Sequence, residues 1–200
     1  MTDRRATPSH PIAPIFANRF SARAYQDKPV PPELLRQLFE AARWAASCFN
    51  DQPWNYLVTR RHVEPEAFAK LLACLGPGNQ SWVARAPVLM LSVTRNSFAH
   101  NGKPNRHAFH DQGQGSANLV AQAGALGLQC RQMAGYDADK AREAFAIPEG
   151  FDPVAAIALG FPLPFDQIPD DLREKEAAAR TRNPIESFVH LGAWETRGAP

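Results

Sequence analysis

Two segments, far apart in the sequence, carry arginines at a spacing suited to binding a phosphate or an electron-rich ring edge. In the first segment Arg19, Ser21 and Arg23 occupy alternate positions, so an extended chain would place all three on one side. In the second segment Arg180 and Arg182 end a charged stretch. Guanidinium groups bind phosphate through charge-assisted hydrogen bonds. The two segments are therefore predicted to converge on one phosphate, although each alone also suits a solvated basic surface.

A third segment carries neutral polar groups. Ser47, Cys48, Asn50 and Gln52 provide a hydroxyl, a thiol and two amides on a short stretch that follows a predicted helix. Donors and acceptors of this kind suit the edge of a heterocyclic ligand. The alternative is that these side chains only cap the helix and form the turn after it.

Two other patterns are weaker. His107 and His110, next to Asp111 and near His100, have the spacing of metal ligands. Histidines at a polar helix start are more often solvated, and no cysteine or carboxylate cluster supports them, so no metal site is predicted. Residues 113–118 lack the third glycine of a dinucleotide-binding fingerprint and lie within a predicted helix, which favours close helix packing instead.

The composition is that of one ordinary globular domain. Of 200 residues 44% are hydrophobic, and 22 Lys and Arg against 20 Asp and Glu leave a net charge of +2, too little to attract nucleic acid. The longest apolar run, 86–93, is too short to span a membrane, and no secretory signal is recognised. Three cysteines without a Cys-x-x-Cys pair suit a reducing compartment. We predict a single cytoplasmic domain over 1–200, with a flexible segment 1–13 and no membrane partner.

Hydrophobic periodicity predicts a mixed α/β fold. Amphipathic helices alternate with apolar runs of strand length, and the two-residue turns of a β-meander are missing. We therefore predict a central mixed sheet covered by helices on both faces, with residues 96–105 as a loop. The predicted helices are 32–46, 65–75, 107–126, 137–145 and 170–180, and the predicted strands are 55–59, 87–93 and 154–159.

Six short segments also occur in an order that is typical of one enzyme family. They are 19–25, Ser47–Trp54 after Glu40-Ala-Ala-Arg-Trp, Trp82–Leu89, Gly127-Leu128, Gln132–Asp137 and Arg180-Thr-Arg182. None is specific alone, but their order and their coverage, from about residue 14 to 195, are. In these segments the chain resembles the nitroreductase family of flavin enzymes.

The resemblance implies a homodimer that binds two FMN molecules at its subunit interface. The phosphate and the pyrimidine edge of the flavin would contact Arg19, Ser21 and Arg23, with Phe20 contributing through its backbone. Further phosphate contacts would come from Arg180 and Arg182. The C-terminal tail, rich in apolar anchors between 185 and 194, is expected to wrap around the partner subunit.

Two more segments are assigned to the flavin by the resemblance. The other subunit would contribute Ala46, Ser47, Cys48 and Asn50. The loop near flavin N5 would consist of Gln132, Met133, Ala134 and Gly135. The chain departs from the family pattern at Cys48, where a hydroxyl is common, and at Ala134, where several members have glutamate.

The implied activity is that of an FMN-dependent oxidoreductase. NAD(P)H would transfer a hydride to the flavin and leave before an organic acceptor, either a nitroaromatic, a quinone or an enone, takes its place, which gives ping-pong kinetics. The flavin carries the chemistry, Arg23 would stabilise negative charge at N1 and O2, and no side chain is assigned as acid or base. The alternatives are an FMN-binding carrier or sensor without turnover, and a flavin oxidase that uses oxygen.

Overall fold

Four β-strands form a sheet at the centre of the molecule, and seven α-helices surround it in the part of the chain that the computed structural model describes, residues 4–198. The strands are β1 (Trp54–Arg60), β2 (Val88–Arg95), β3 (Gln129–Met133) and β4 (Phe151–Gly160). The helices are α1 (Pro14–Asn18), α2 (Pro32–Arg43), α3 (Pro65–Leu72), α4 (Pro77–Val83), α5 (Ala108–Ala125), α6 (Ala138–Phe145) and α7 (Asp170–Ala177).

The order of strands across the sheet is β1-β2-β4-β3, and every neighbouring pair is antiparallel. Leu91 in β2 lies opposite Leu57 in β1 and Ala156 in β4. The sheet was expected to be mixed, and that detail is wrong for the described strands. The reason is topological: β2 and β3 run in the same direction, but β4 inserts between them and pairs antiparallel with both.

Strand β2 is buried on both faces, as its continuous apolar run predicts. Leu89 and Leu91 face a core shared with α3, α4, α6 and α7, whereas Met90 faces a second core shared with α2 and α5. Successive strand residues point to opposite faces, so one uninterrupted run fills both cores. The predicted sheet with helices on both faces is confirmed.

The helix starts follow from simple backbone chemistry. Helices α2, α3 and α4 begin with Pro32, Pro65 and Pro77, where the missing N–H of proline costs no hydrogen bond. Helix α6 is capped by Asp137, whose carboxylate accepts a hydrogen bond of 2.9 Å from the backbone N–H of Lys140.

Sequence periodicity overestimated the lengths of three helices and missed three elements. Helices α2, α3 and α7 end three residues before their predicted ends at 46, 75 and 180. Helix α1, helix α4 and strand β3 were not predicted, and the first two are only five and seven residues long. Short elements give too few periods for an apolar pattern to be recognised.

Helix α5 packs closely against the sheet and α2, as its small residues predict. A side chain on Gly115 would lie 3.3 Å from the hydroxyl of Tyr56 and 3.4 Å from the ring of Trp54. The Asn118 side chain donates a hydrogen bond of 3.2 Å to the carbonyl of Ala41 in α2. Gly115 therefore serves helix packing, whereas a side chain on Gly113 would meet no atom within 4 Å.

The two ends of the described chain meet beside α1. The Arg180 guanidinium donates hydrogen bonds to the carbonyl oxygens of Arg4, at 2.9 Å, and Ala17, at 3.0 Å. The tail beyond α7 leaves Phe188 and Trp194 largely exposed, so its expected wrapping around a partner subunit stays a prediction.

We predict that Gly160→Ala destabilises the protein. A methyl group at this position, the end of β4, would lie 2.7 Å from the Pro87 ring and 2.9 Å from Tyr25, closer than carbon atoms can approach. The overpacking should lower the free energy of unfolding by about 1 to 3 kcal/mol, measured by denaturant titration. Gly78→Ala in α4 is the control, because no atom lies within 4 Å there. Equal stability of Gly160→Ala and the unmutated protein would contradict the close approach.

Candidate functional site

A cavity of about 460 Å³ lies between the segment after α1, strand β3 and the C-terminal end of α7. We call it the cation cavity, because eight of its lining residues are basic and only Glu176 is acidic. Its volume is in the range of small-molecule sites. The basic lining residues are Arg4, Arg5, Arg19, Arg23, Arg131, Lys175, Arg180 and Arg182.

The carboxylate of Glu176 is buried and already has partners. One oxygen accepts a hydrogen bond of 2.8 Å from Arg4, and the other accepts one from the backbone N–H of Arg23. The Arg4 guanidinium also lies over the ring of Phe20, 4.1 Å from its centroid, and donates to the carbonyl of Leu163 at 2.8 Å. Glu176 therefore neutralises Arg4 and fixes the segment that contains Arg23, but it forms no ion pair with Arg19 or Arg182.

The two predicted phosphate-binding segments converge in this cavity. Burial lowers the pKa of Arg19, and repulsion from Arg182 lowers it further. Burial, Arg19 and Arg182 likewise lower the pKa of Arg180. Neither Arg19 nor Arg182 forms an ion pair with a carboxylate of residues 4–198. A bound anion would relieve this repulsion, and so the cavity has the electrostatics of an anion site.

The side chains of these arginines are not equivalent. The Arg180 Nη1 atom already donates hydrogen bonds to the carbonyls of Arg4 and Ala17. By contrast, Arg19 contacts only the Ser21 hydroxyl in this cavity, at 3.4 Å, and Arg182 donates to the neighbouring Thr181 carbonyl at 2.6 Å. Arg19 and Arg182 are the better placed to bind an anion, whereas Arg180 also holds the N-terminal segment.

The predicted site residues Ala46, Ser47, Cys48 and Asn50 lie outside the cation cavity of the same chain. They belong to the turn after α2, in which Phe49, Asn50 and Gln52 all have positive φ, between 51° and 55°. Left-handed backbone is unfavourable for residues other than glycine, so this turn must be stabilised by its surroundings. We refer to residues 48–52 as the strained turn.

Two buried carboxylates hold the strained turn. Asp111 on α5 accepts a hydrogen bond of 2.9 Å from the backbone N–H of Cys48. Asp51 pairs with Arg95 at 2.9 Å and accepts a hydrogen bond of 2.7 Å from the backbone N–H of Ala99 in the loop after β2. The ring of Phe49 remains 82% exposed.

Comparison with known proteins agrees with this architecture. The sequence model of the nitroreductase family matches residues 16–161. The chain belongs to the nitroreductase family. A Leptothrix cholodnii protein named "Putative NADH dehydrogenase/NAD(P)H nitroreductase" is 35% identical over 144 residues, 62% of this chain and 71% of that protein. The predicted family and the predicted enzyme class, an oxidoreductase, are confirmed.

Solved structures of nitroreductases share the fold. A crystal structure described as an oxidoreductase containing FMN superposes with a TM-score of 0.87 and 32% identity, over 94% of this chain and 96% of that one. A nitroreductase from Parabacteroides distasonis, described with the same double name as the Leptothrix protein, superposes with a TM-score of 0.70 at 20% identity, over 90% and 96% of the two chains. At 20% identity, the similarity to the Parabacteroides protein shows a common fold alone.

The loop expected near flavin N5 begins later than predicted. Gln132 and Met133 belong to strand β3, and only Ala134 and Gly135 are in a loop. The Gly135 carbonyl accepts hydrogen bonds from the backbone N–H of Gly76 and from the side chain of Asn79, at 3.0 and 3.1 Å. None of these four residues lines the cation cavity.

Five charged lining residues of the cation cavity were not in the predicted set, namely Arg4, Arg5, Arg131, Lys175 and Glu176. Arg131 lies on the strand that periodicity did not reveal. Glu176 was assigned to a charged surface helix, and only its spacing from Leu172, also buried, hints that it points inward. No helix within residues 4–198 is long and apolar enough to cross a membrane. The same residues contain no cluster of three or more potential metal ligands.

We predict that Asp51→Asn destabilises the protein in a pH-dependent way. Burial raises the pKa of Asp51, but the Ala99 N–H and the Arg95 guanidinium outweigh it and hold the pKa below the usual 3.8. The stabilisation is therefore complete above about pH 3.8 and is lost as the pH falls through the folded-state pKa. The variant should lose about 2 kcal/mol of unfolding free energy at pH 7. This difference should shrink in acid.

The control for this prediction is Asp171→Asn, which removes an exposed carboxylate 3.4 Å from Arg85. An exposed pair of this kind contributes little to stability. Denaturant titrations of the three proteins between pH 3 and pH 7 make the comparison. A difference between Asp51→Asn and the unmutated protein that stays constant over this range would show that the Asp51 charge is not what holds the turn.

Proposed function

We propose that the chain is an FMN-dependent oxidoreductase that transfers hydride from NAD(P)H to an organic acceptor, a nitroaromatic, quinone or enone, with ping-pong kinetics. Family membership and the FMN of a 32% identical structure support the cofactor, and the names of relatives support NAD(P)H as the co-substrate. The observation that carries the proposal is the pair Arg19 and Arg182 in the cation cavity, neither of which forms an ion pair with a carboxylate of residues 4–198. The cytoplasmic location stays a prediction from the sequence.

The arginines of the cavity fit the phosphate of FMN. A phosphate monoester carries close to two negative charges at neutral pH. Arg19 and Arg182, which lack carboxylate partners among residues 4–198 and repel each other, supply two positive charges. Arg180 adds a third cation while its Nη1 atom holds the backbone of Arg4 and Ala17. The positive charge of this group supports binding of the phosphate.

The part of FMN between the phosphate and the ring would contact Phe20, Ser21 and Arg23. The backbone N–H of Phe20 donates to the side chain of Gln129 at 3.0 Å, which fixes the direction of this segment. The Arg23 backbone is fixed by Glu176, so its guanidinium reaches the cavity from a defined point. When bound, FMN would accept the hydride and pass it on. The protein's part is to bind and orient it and to place fixed positive charge beside it.

A homodimer would complete the site. The cation cavity and the residues Ala46, Ser47, Cys48 and Asn50 lie in different places of one chain, so a flavin that contacts both needs two chains. Large apolar side chains are exposed on the strained turn and on the tail, with Phe49 82% and Trp194 81% accessible. Exposed apolar surface of this extent is typical of an interface.

The phosphate assignment predicts a selective loss of affinity. Arg19→Ala and Arg182→Ala should each weaken FMN binding about tenfold to a hundredfold, because a charge-assisted hydrogen bond contributes about 1.5 to 3 kcal/mol. Riboflavin, which has no phosphate, should bind these variants and the unmutated protein almost equally. Titration of the apoprotein by flavin fluorescence measures both affinities. Equal losses for FMN and riboflavin would place the two arginines elsewhere on the flavin.

The activity itself is tested by anaerobic reduction. The FMN-loaded protein should lose its absorbance near 450 nm when NADH or NADPH is added without oxygen, and a quinone or nitroaromatic should restore it. A carrier or sensor would stay yellow with both nucleotides. An oxidase would be bleached only by its own organic substrate and reoxidised by oxygen. Persistence of the yellow colour with both nucleotides would overturn the proposed reaction.

A further inference from the structure

Arg131 is a second cation beside Arg23, and the phosphate assignment does not use it. It lies on β3, and its guanidinium donates a hydrogen bond of 2.8 Å to the backbone carbonyl of Ser21. Its guanidinium carbon is 5.7 Å from the centroid of the Trp82 ring. Among residues 4–198 no carboxylate forms an ion pair with it. Burial lowers the pKa of Arg131, and repulsion from Arg23 lowers it further.

Several cations of the cavity can be assigned a negatively charged partner. Glu176 takes the charge of Arg4, at 2.8 Å. A phosphate monoester takes the charges of Arg19 and Arg182. Among the other cations, Arg23 and Arg131 are partly buried neighbours, and neither forms an ion pair with a carboxylate of residues 4–198; Glu176 offsets the repulsion at Arg131 only in part. Holding two such charges together is unfavourable unless a ligand brings negative charge to them.

The position of Arg131 indicates which part of the ligand would bring this negative charge. Its contact, the Ser21 carbonyl, lies between Arg19 and Arg23 in the segment that would run from the phosphate to the ring. We infer that Arg131, together with Arg23, stabilises the negative charge that reduction places on the pyrimidine end of the flavin. This inference rests on the proposed function.

The charge balance of the reaction supports this role. Bound FMN would accept a hydride, two electrons and one proton, at N5 as the C4–H bond of the nicotinamide breaks. The nicotinamide would be oxidised, and the isoalloxazine would gain one negative charge, shared between N1 and O2. A fixed cation favours the product of this transfer over the reactant, and it therefore raises the reduction potential of the bound flavin.

The experiment compares FMN-loaded Arg131→Gln and Arg131→Met with the unmutated protein. Sulfite adds to flavin N5 and leaves negative charge on the same pyrimidine end, so its dissociation constant reports the local cation without turnover. We expect both variants to bind sulfite about tenfold more weakly, the effect of one partly screened charge. The midpoint potential, measured by equilibration with a reference dye, should fall by about 30 mV, which corresponds to a tenfold change in equilibrium constant for a two-electron couple.

Two further variants serve as controls. Arg131→Lys keeps the charge and should restore most of the sulfite affinity and of the potential. Arg85→Gln removes an equal charge from the surface, where Arg85 pairs with Asp171 at 3.4 Å outside the cavity, and should change neither quantity. Two charge-removing variants are used so that poor folding of one does not decide the result.

The outcomes separate this inference from the proposed function. An unmutated protein that does not bind FMN would overturn both. Normal FMN binding with unchanged sulfite affinity and potential in Arg131→Gln and Arg131→Met would overturn only the role of Arg131. If those variants instead raise the KM for NADH or NADPH at constant potential, Arg131 binds a phosphate of the nucleotide, and the inference is also wrong.

Discussion

One buried carboxylate organises the region where the cofactor is proposed to bind. Glu176, on a helix near the end of the chain, accepts hydrogen bonds from Arg4 near the beginning and from the backbone of Arg23. Without it, Arg4 would add to the repulsion among the other arginines, and the segment 19–23 would lose one of the hydrogen bonds that fix it, alongside those with Gln129 and Arg131. The cation cavity therefore depends on one negative charge that pairs with Arg4, fixes the backbone of Arg23 and forms no ion pair with Arg19 or Arg182.

A similar principle applies on the other side of the molecule. The strained turn keeps three residues in left-handed conformations, and the charged oxygens of Asp51 and Asp111 hold it from two sides. In both places a buried acid bonds to a backbone N–H group and so fixes the path of a loop, while Glu176 and Asp51 each also pair with an arginine side chain. The antiparallel sheet provides the rigid base, since its central strands are buried on both faces.

The sequence predicts well those features that depend on local pattern. The apolar run of β2 and the small residues of α5 have direct physical meanings, and the two arginine segments were recognised by residue type. Strand β3 was missed because Gln129, Arg131 and Gln132 interrupt its apolar alternation. The contact of Arg180 with the Arg4 carbonyl joins residues 176 positions apart, and no local pattern carries such information. The same holds for Glu176, which looks like any other acid of a solvated helix.

The contacts between the N-terminal segment and the residues after α7 have a consequence for biosynthesis. Glu176 is translated 153 positions after Arg23, whose backbone it holds, and Arg180 is translated 176 positions after Arg4. The walls of the cation cavity are therefore incomplete in a nascent chain until the segment 176–182 has emerged from the ribosome. An anion that needs the whole cavity can be bound only after that point of translation.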